Sequence, residues 1–334
     1  MIALGTLHAA TRHLDKRDGT AGAGRKFIYA VNRSAQSLSA YHSHPDMGTL
    51  TLVNTLDAGG HPYAIAADHF SRFIYVANAS SHTVCAYRID PVTGGLSLTG
   101  TVGAGKGPVC ITVDPASRFV YTINTDSHSI TAYRINVSTG ALIPMHTAGT
   151  ERDPTHITIA PSGQFAYAVN SGSATIWMYH IDKDNGELLP MRSVPASGML
   201  PVAVAITPCG RFAYVTNSGS ASVSAYRVDA TTGVLTFTGT TDTGVTPCAV
   251  AVSPSGRFAY VANTGAASLS AYRINADTGA LAATGKVGTK PGPVSIMVDA
   301  TEKYIYVGSL SGISIYRVDA DSGTLRLTEP SRKL

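Results

Sequence analysis

The segment ERDPTH at residues 151–156 places an imidazole, a guanidinium and two carboxylates within six residues. Attack of water on a carbonyl needs a base that takes the proton of the water, and a cation or N–H donors that stabilise the oxyanion. We therefore take His156 as the candidate base, Arg152 as the candidate cation and Asp153 as the carboxylate that orients the imidazole. Each has a plainer interpretation: a buried histidine bonded to a backbone carbonyl, a solvated loop arginine, and an aspartate that caps the turn before Pro154.

Five further residues are candidates for binding a ligand, and they share a place in the sequence rather than a motif. Each lies in a turn or loop between two apolar segments, where binding residues concentrate; they are His61, Lys106, Lys290, Arg33 and Asp126. Lys106 can bind an anion in the same way as Arg152. For His61, which directly precedes Pro62, a role in the turn is the default interpretation.

These candidates are set in an internal repeat with an aromatic hexamer as its signature. The hexamers start 46, 46, 46, 47, 46 and 46 residues apart, which excludes chance. Most end in Asn, which we expect to cap a turn. The seven copies are Phe27–Asn32, Phe73–Asn78, Phe119–Asn124, Phe165–Asn170, Phe212–Asn217, Phe258–Asn263 and Tyr304–Ser309.

Each repeat divides into four short segments, which we label strands A to D. Strand A follows a proline, as in Pro247–Val252, and strand B is the hexamer. Strand C is exemplified by Leu269–Ile274, and strand D follows a turn that ends in Gly279. The strands are rich in β-branched and aromatic residues, with period-2 alternation and no amphipathic helix. Seven such repeats predict an all-β fold, a seven-bladed β-propeller with four antiparallel strands per blade.

The topology of a propeller predicts that the candidate residues meet. In an up-and-down blade the loops from strand D to strand A lie on the same face as the turns from strand B to strand C, and strand A lines a central channel. The candidates occupy these loops and the starts of A strands. They differ among the repeats, whereas structural positions recur. Because concave points of convergence favour ligands, we expect a site at the mouth of the channel.

Closure of the ring needs one strand from outside the hexamer repeat. Strands B, C and D occur seven times, but only six A strands follow a proline, and the first repeat lacks one. We expect residues within Ile2–Ala9 to supply it and 15–25 to form a flexible loop. The alternative is a first blade of three strands. The predicted division is an N-terminal segment at 1–26 and the propeller at 27–334.

Composition and charge exclude several classes of function. The 334 residues are 44% hydrophobic and 14% charged, and the net charge is +4. Lysine and arginine recur once per repeat without clustering, so we expect no nucleic-acid partner. No apolar run is long enough for a membrane span. A small-molecule ligand and a protein partner both remain open, and so does the compartment: cytoplasmic, or exported with a signal peptide absent from this chain.

The sequence offers little support for a metal or a cofactor. The four cysteines form no CxxC pair and lie at three different places in the repeat, which argues against zinc and disulfides. Residues 182–186 resemble part of a calcium loop, but the terminal glutamate is missing and we interpret them as a turn. We therefore expect no cofactor and no metal.

Two segments carry a resemblance to a known family. Residues 214–217 (YVTN) and 222–227 (SVSAYR) resemble YVTN-type repeats, and residues 27–328 resemble the seven-bladed β-propeller lactonase family of 6-phosphogluconolactonase and carboxymuconate cyclase. The resemblance implies a site at the top of the channel, with a Pro-Arg-His motif, a histidine one blade earlier and a glutamate after a strand-B asparagine. Here His156 matches, whereas Thr155 stands for the arginine, Cys110 for the other histidine and Ser171 for the glutamate.

Two functions from different classes follow. The first is a lactone hydrolase that opens a small anionic lactone at the mouth of the channel. The alternative is a non-catalytic YVTN-type propeller that acts as a binding or scaffold protein, which the low charge and the near-identical repeats favour.

Overall fold

The computed structural model describes residues 7–11, 26–44 and 48–332 of the protein, and they form seven antiparallel sheets of four strands each. In every sheet the strands lie side by side in sequence order, from the inner strand A to the outer strand D. The predicted seven-bladed β-propeller is confirmed. None of the described residues belongs to a helix long and apolar enough to cross a membrane.

The blades follow one another along the chain. Blade 1 contains β1 (Leu7–Thr11), β2 (Lys26–Asn32), β3 (Ser37–His44) and β4 (Thr49–Asp57). Blade 2 contains β5 (Pro62–Ala67), β6 (Phe73–Asn78), β7 (Thr83–Ile89) and β8 (Leu96–Gly103). Blade 3 contains β9 (Pro108–Val113), β10 (Phe119–Asn124), a 3-10 turn (Thr125–Ser127), β11 (Ser129–Ile135) and β12 (Leu142–Gly149).

The remaining four blades repeat the pattern. Blade 4 contains β13 (Pro154–Ile159), β14 (Phe165–Asn170), β15 (Thr175–Ile181) and β16 (Leu188–Pro195). Blade 5 contains β17 (Pro201–Ile206), β18 (Phe212–Asn217), β19 (Ser222–Val228) and β20 (Leu235–Asp242). Blade 6 contains β21 (Pro247–Val252), β22 (Phe258–Asn263), β23 (Ser268–Ile274) and β24 (Leu281–Gly288), and blade 7 contains β25 (Pro293–Val298), β26 (Tyr304–Ser309), β27 (Gly312–Val318) and β28 (Leu325–Arg332).

The N-terminal segment completes the first blade. Strand β1 pairs antiparallel with β2, from Leu7 opposite Ala30 to Thr11 opposite Lys26. The alternative of a three-stranded first blade is therefore wrong. The strand overlaps the expected Ile2–Ala9 only at residues 7–9. Residues 1–6 and 12–25, which include the whole of the expected flexible loop at 15–25, lie outside the described residues. Each blade is thus one continuous stretch of chain, and β1 lies against β25 and β26 at the junction of the first and last blades.

Aromatic side chains of strand B join each blade to the next. The buried hydroxyls of Tyr121 and Tyr167 each donate a hydrogen bond of 2.9 Å to the carbonyl of the C-to-D turn glycine one blade later, Gly186 and Gly233. Gly233 has a φ of +69°, and a Cβ there would overlap the ring of Phe165. Only glycine allows this close approach of backbone to ring. The recurring Phe-x-Tyr of one blade and the turn glycine of the next blade therefore form a single packing contact that joins the two blades.

The asparagine at the end of strand B bonds to its own blade rather than capping a turn. The side-chain amide of Asn217 donates to Ser222 Oγ at 3.1 Å and to Ser224 Oγ at 2.9 Å. Asn263 does the same with Ser268 and Ser270. These fully buried amides tie strand B to strand C at the end that carries the B-to-C turn, which explains why the asparagine recurs with a polar strand C.

The D-to-A loops and the B-to-C turns share one face, here called the top face. The amide of Ser171, in the B-to-C turn of blade 4, donates to the carbonyl of Asp153 at 2.9 Å. The amide of Arg152 donates to Ser173 Oγ at 2.9 Å. Equivalent backbone bonds join Thr125 to Gly107 and Thr264 to Thr246. The predicted convergence of these loops on one face is therefore present.

Candidate functional site

Each proline-led inner strand begins with a β-bulge. In blade 4, Pro154 lies opposite Asn170 and His156 opposite Val169, so Thr155 is the extra residue. The same shift occurs in the other five proline-led strands. A bulge re-aims side chains and is frequent beside active sites. Here it brings Thr155 Oγ1 within 2.8 Å of the carbonyl of Val202, in the inner strand of blade 5.

His156 is held neutral by its surroundings. It keeps part of its surface exposed, but its Nδ1 is buried and has no hydrogen-bond partner among the described residues. Burial lowers the pKa of His156 to about 4, because the charged imidazolium is poorly solvated there. At neutral pH the ring is therefore a neutral imidazole whose surroundings disfavour the protonated form, and its Nδ1 is left for a water or a ligand.

Arg152 and Asp153 lie together, but the structure does not bring them to His156. The side chain of Arg152 is exposed, and its Nη2 donates to the carbonyl of Gly172 at 3.3 Å. Asp153 has a φ of +52°, and its carboxylate also lies against Gly172. No hydrogen bond joins either residue to His156 in the part of the chain that the structure describes. In this structure the Asp153 carboxylate is not bonded to the imidazole, and its backbone carbonyl accepts the amide of Ser171 in the turn.

Arg33 is the ligand candidate with the most unusual surroundings. The residue is 5% exposed, and its guanidinium carbon lies 3.0 Å from the ring centroid of Tyr63. Its Nη2 donates to the carbonyl of Tyr63 at 3.3 Å, whereas its Nε is buried and has no acceptor. Burial lowers the pKa of Arg33 to about 10, so the group is still a cation at neutral pH. No described carboxylate pairs with it.

The other ligand candidates lie on the same face in ordinary turns. Lys106 and Asp126 are exposed neighbours, since the Asp126 amide donates to the Lys106 carbonyl at 3.1 Å. His61 has a φ of +68°, and its carbonyl accepts a bond of 3.0 Å from the amide of Ala79, which agrees with a role in the turn. Lys290 is half-buried, and its carbonyl accepts a bond of 2.8 Å from Thr289 Oγ1.

Glu151 and Trp177 form a pair that sequence reasoning did not select. The indole Nε1 of Trp177 donates to Glu151 Oε1 at 2.8 Å, and Thr175 Oγ1 donates to Glu151 Oε2 at 2.5 Å. Trp177 stands where strand C of blades 5 and 6 has Ser224 and Ser270. The sequence already singles out Trp177, because it is the single tryptophan of the protein and replaces a small polar residue of the repeat. The pair marks blade 4, the blade of His156, as different from the others.

Three of the buried polar atoms without a described partner belong to an inner strand or to a B-to-C turn. They are Nε of Arg33, Nδ1 of His156 and Oγ of Ser295. Ser295 is the residue of β25 that corresponds to His156 in β13, because both follow the bulge. Buried polar atoms are nearly always paired, with protein, water or ligand. The three therefore point to bound water or a ligand near the channel.

The inner strands supply a second set of polar groups. Strand A ends every sheet, so the edge that faces away from strand B has no strand partner within its blade. Inner strands of neighbouring blades adjoin in ring order, as β9 and β13 or β13 and β17 do. Half of the backbone N–H groups of each inner strand thus face the channel. Backbone donors of this kind can stabilise an oxyanion.

A comparison with protein families shows to which family the chain belongs. The sequence model described as lactonase, seven-bladed β-propeller, matches residues 20–113, 114–248 and 239–333. The chain belongs to this lactonase family. A search of curated proteins found no match.

Solved structures agree with this lactonase fold. Two putative 6-phosphogluconolactonases are similar: that of Bacteroides fragilis has a TM-score of 0.81 and 20% identity, and that of Bacteroides uniformis 0.82 and 19%. Each comparison covers 99% of this chain and 96% of the other. The periplasmic gluconolactonase of Pseudomonas aeruginosa has a TM-score of 0.78 and 16% identity, and covers 98% and 96%. Identities this low establish the shared fold alone.

The positions where this chain departs from the implied family motif have other roles here. The hydroxyl of Thr155, in place of an arginine, is bonded to the Val202 carbonyl. Cys110, in place of a histidine, is buried, and burial raises the pKa of its thiol to about 11. The thiol is therefore protonated at neutral pH and is no nucleophile. Among the described residues, no three His, Cys, Asp or Glu side chains gather in a way that could hold a metal ion.

Proposed function

We propose that the protein hydrolyses a small lactone at the mouth of the channel, with His156 as the base. The observation that supports this most is the Nδ1 of His156, which is buried and unpaired beside the β-bulge of the inner strand of blade 4. Membership of the lactonase family adds support for the reaction class. The identity of the lactone is not implied by either observation.

In the proposed reaction the protein moves one proton and stabilises one negative charge. His156 accepts a proton from water as the water oxygen bonds to the lactone carbonyl carbon. Backbone N–H groups of the inner strands stabilise the oxyanion of the tetrahedral intermediate. When the intermediate collapses, the bond to the ring oxygen breaks, and His156 returns its proton to that oxygen. The product is the open-chain hydroxy acid.

Arg33 is the proposed partner of an anionic group on the substrate. It is a buried cation without a described carboxylate, and its Nε–H has no acceptor. A carboxylate or phosphate that reached this N–H would form a charge-assisted hydrogen bond. Lys106 and Arg152 are exposed on D-to-A loops of the same face, but carboxylates accompany both, so the selection of an anion rests on Arg33.

The test is turnover of a panel of neutral and anionic lactones by the wild type and by His156→Ala. We expect the variant to lose at least a hundredfold in kcat. His69→Ala is the matched control, because His69 is exposed in an A-to-B turn, on the opposite face. Turnover by the wild type no faster than the background rate, or equal turnover by His156→Ala, would refute the proposal.

A non-catalytic binding propeller is the second candidate. It is favoured by Thr155 in place of the implied arginine and by the separation of Asp153 from His156. Trp177 lets the two be distinguished, because the single tryptophan is bonded to Glu151 on the top face. A ligand that changes Trp177 fluorescence and is recovered intact would support this candidate over the hydrolase.

A further inference from the structure

The top face is divided between charged and apolar residues. The residue two positions before the proline of strand A is equivalent in six blades, and we call it the rim position. The rim positions of blades 3 and 4 hold cations, those of blades 5, 6 and 7 hold apolar residues, and that of blade 2 holds glycine. In order from blade 2 to blade 7 they are Gly60, Lys106, Arg152, Met199, Val245 and Pro291.

The apolar rim residues are unusually exposed. Met199 is 66% exposed and Val245 60%, and Leu200, next to Met199, is 51% exposed. Leu310, in the B-to-C turn of blade 7, is 43% exposed. Among the described residues, the large exposed hydrophobic side chains of the top-face loops all belong to blades 5 to 7. Exposed apolar side chains grouped on neighbouring loops of one face are candidates for a binding surface.

This apolar surface adjoins the candidate base. The bulge at Thr155 and His156 aims Thr155 at blade 5, where its hydroxyl meets the carbonyl of Val202. Val202 lies two residues after Leu200 and three after Met199. The apolar loop therefore leads directly into the inner strand that packs against the strand of His156, and Val245 holds the equivalent position on blade 6.

The part of the top face formed by blades 3 and 4 carries charges of both signs, so its net charge does not select an anion. Lys106 and Arg152 are accompanied by the carboxylates of Asp126, Glu151 and Asp153 on the same loops and turns. Mixed charges keep this half hydrated and unsuited to hydrocarbon. A ligand that reaches His156 thus meets hydrated ions on one side and exposed methyl and thioether groups on the other.

We infer that the substrate carries a hydrocarbon chain, so that the lactone ring lies at His156 and the chain lies on Met199, Leu200 and Val245. The inference rests on the proposed lactone hydrolysis, and it favours an alkyl-substituted lactone over a sugar lactone. Removing a chain from water at this surface raises binding by about twofold for each methylene that is half-buried.

The experiment uses γ-lactones with no chain, a four-carbon chain and an eight-carbon chain. For the wild type, kcat/KM rises by roughly tenfold over the first four methylenes. Val245→Ser and Met199→Ser lower the ratio of kcat/KM between the eight-carbon and the unsubstituted lactone. Val92→Ser is the matched control, because Val92 is 62% exposed in a C-to-D turn, on the opposite face, and leaves the ratio unchanged.

Binding gives a readout that does not depend on turnover. γ-Lactams with the same chains resist hydrolysis, and their affinity, measured by calorimetry, rises with chain length in the wild type and less in Met199→Ser. Hydrolysis without dependence on chain length overturns this inference and leaves the hydrolase proposal intact. If no lactone is hydrolysed, the hydrolase proposal fails, and lactam affinity that is independent of the chain overturns the inference as well.

Discussion

Tyr306 Oη and Ser43 Oγ lie 2.7 Å apart across the junction between the last blade and the first, and both residues are buried. In blades 1, 3, 4 and 5 the equivalent tyrosine donates to the turn glycine of the next blade, as Tyr214 does to Gly279 at 2.8 Å. The ring is closed by side chains of blades 7 and 1 and not by a shared sheet, since each blade is continuous in sequence.

Tyr306→Phe is expected to lower the free energy of unfolding by about 1–2 kcal/mol, because it removes this bond and leaves Ser43 Oγ buried without its partner. Chemical denaturation measures the change. Tyr75→Phe is the matched control: its hydroxyl is buried and has no partner, so its loss should be neutral or slightly stabilising. Equal losses in the two variants would contradict a role for the Tyr306–Ser43 bond in closure.

Removal of residues 1–20 should destabilise the protein and promote aggregation. The deletion removes β1 and exposes the edge of β2, and an unpaired strand edge is a template for pairing with other chains. Thermal unfolding and light scattering measure both effects. Removal of residues 1–6 spares β1 and serves as the control. An unchanged melting temperature in the longer deletion would show that β1 contributes nothing to stability.

Acid should weaken the fold through His156. Its pKa is about 4 in the folded protein, against 6.5 for the ordinary group. As the pH falls from 6.5 to 4, the unfolded chain binds a proton that the folded chain does not, so stability falls by about 2–3 kcal/mol over this window. His156→Gln should show a smaller loss between the same two pH values. Parallel curves for the two proteins would mean that the histidine is not held neutral.

Ala196→Thr should stabilise blade 5. In blades 4 and 6 the first residue of the D-to-A loop is a threonine whose hydroxyl donates to the strand-B asparagine, as Thr150 does to Asn170 Oδ1 at 2.8 Å. Blade 5 has Ala196 there, and Asn217 Oδ1 is buried without a partner. A hydroxyl at residue 196 restores the bond, with a gain of about 1 kcal/mol in denaturation experiments.

The control for this change is Ala104→Thr in blade 3. There the Oδ1 of Asn124 already accepts a bond of 3.3 Å from Thr122, so a new hydroxyl has no unpaired acceptor. A gain in stability is therefore expected only for the threonine at residue 196. Similar gains at residues 104 and 196 would point to a general preference for threonine in the loop.

The sequence by itself determined the architecture, because the fold is built from one local pattern used seven times. Period-2 alternation, the turn glycines and the 46-residue spacing act within a repeat, and they identify strands, blades and their number. The missing seventh proline also located the closing strand in the N-terminal segment, although its bounds, Leu7–Thr11, needed the pairing with β2.

Only the tertiary structure decided the surroundings of the candidate residues. Asp153 and His156 are three residues apart, yet a bulge and a positive φ separate their side chains. The sequence places Arg33 in a turn, but in the structure the ring of Tyr63 from the next blade covers its guanidinium. A contact between two blades cannot be predicted from the spacing within one repeat. Burial, which sets the pKa of both His156 and Arg33, is a property of neighbouring blades, and for that reason the repeat pattern could suggest the site but not its chemistry.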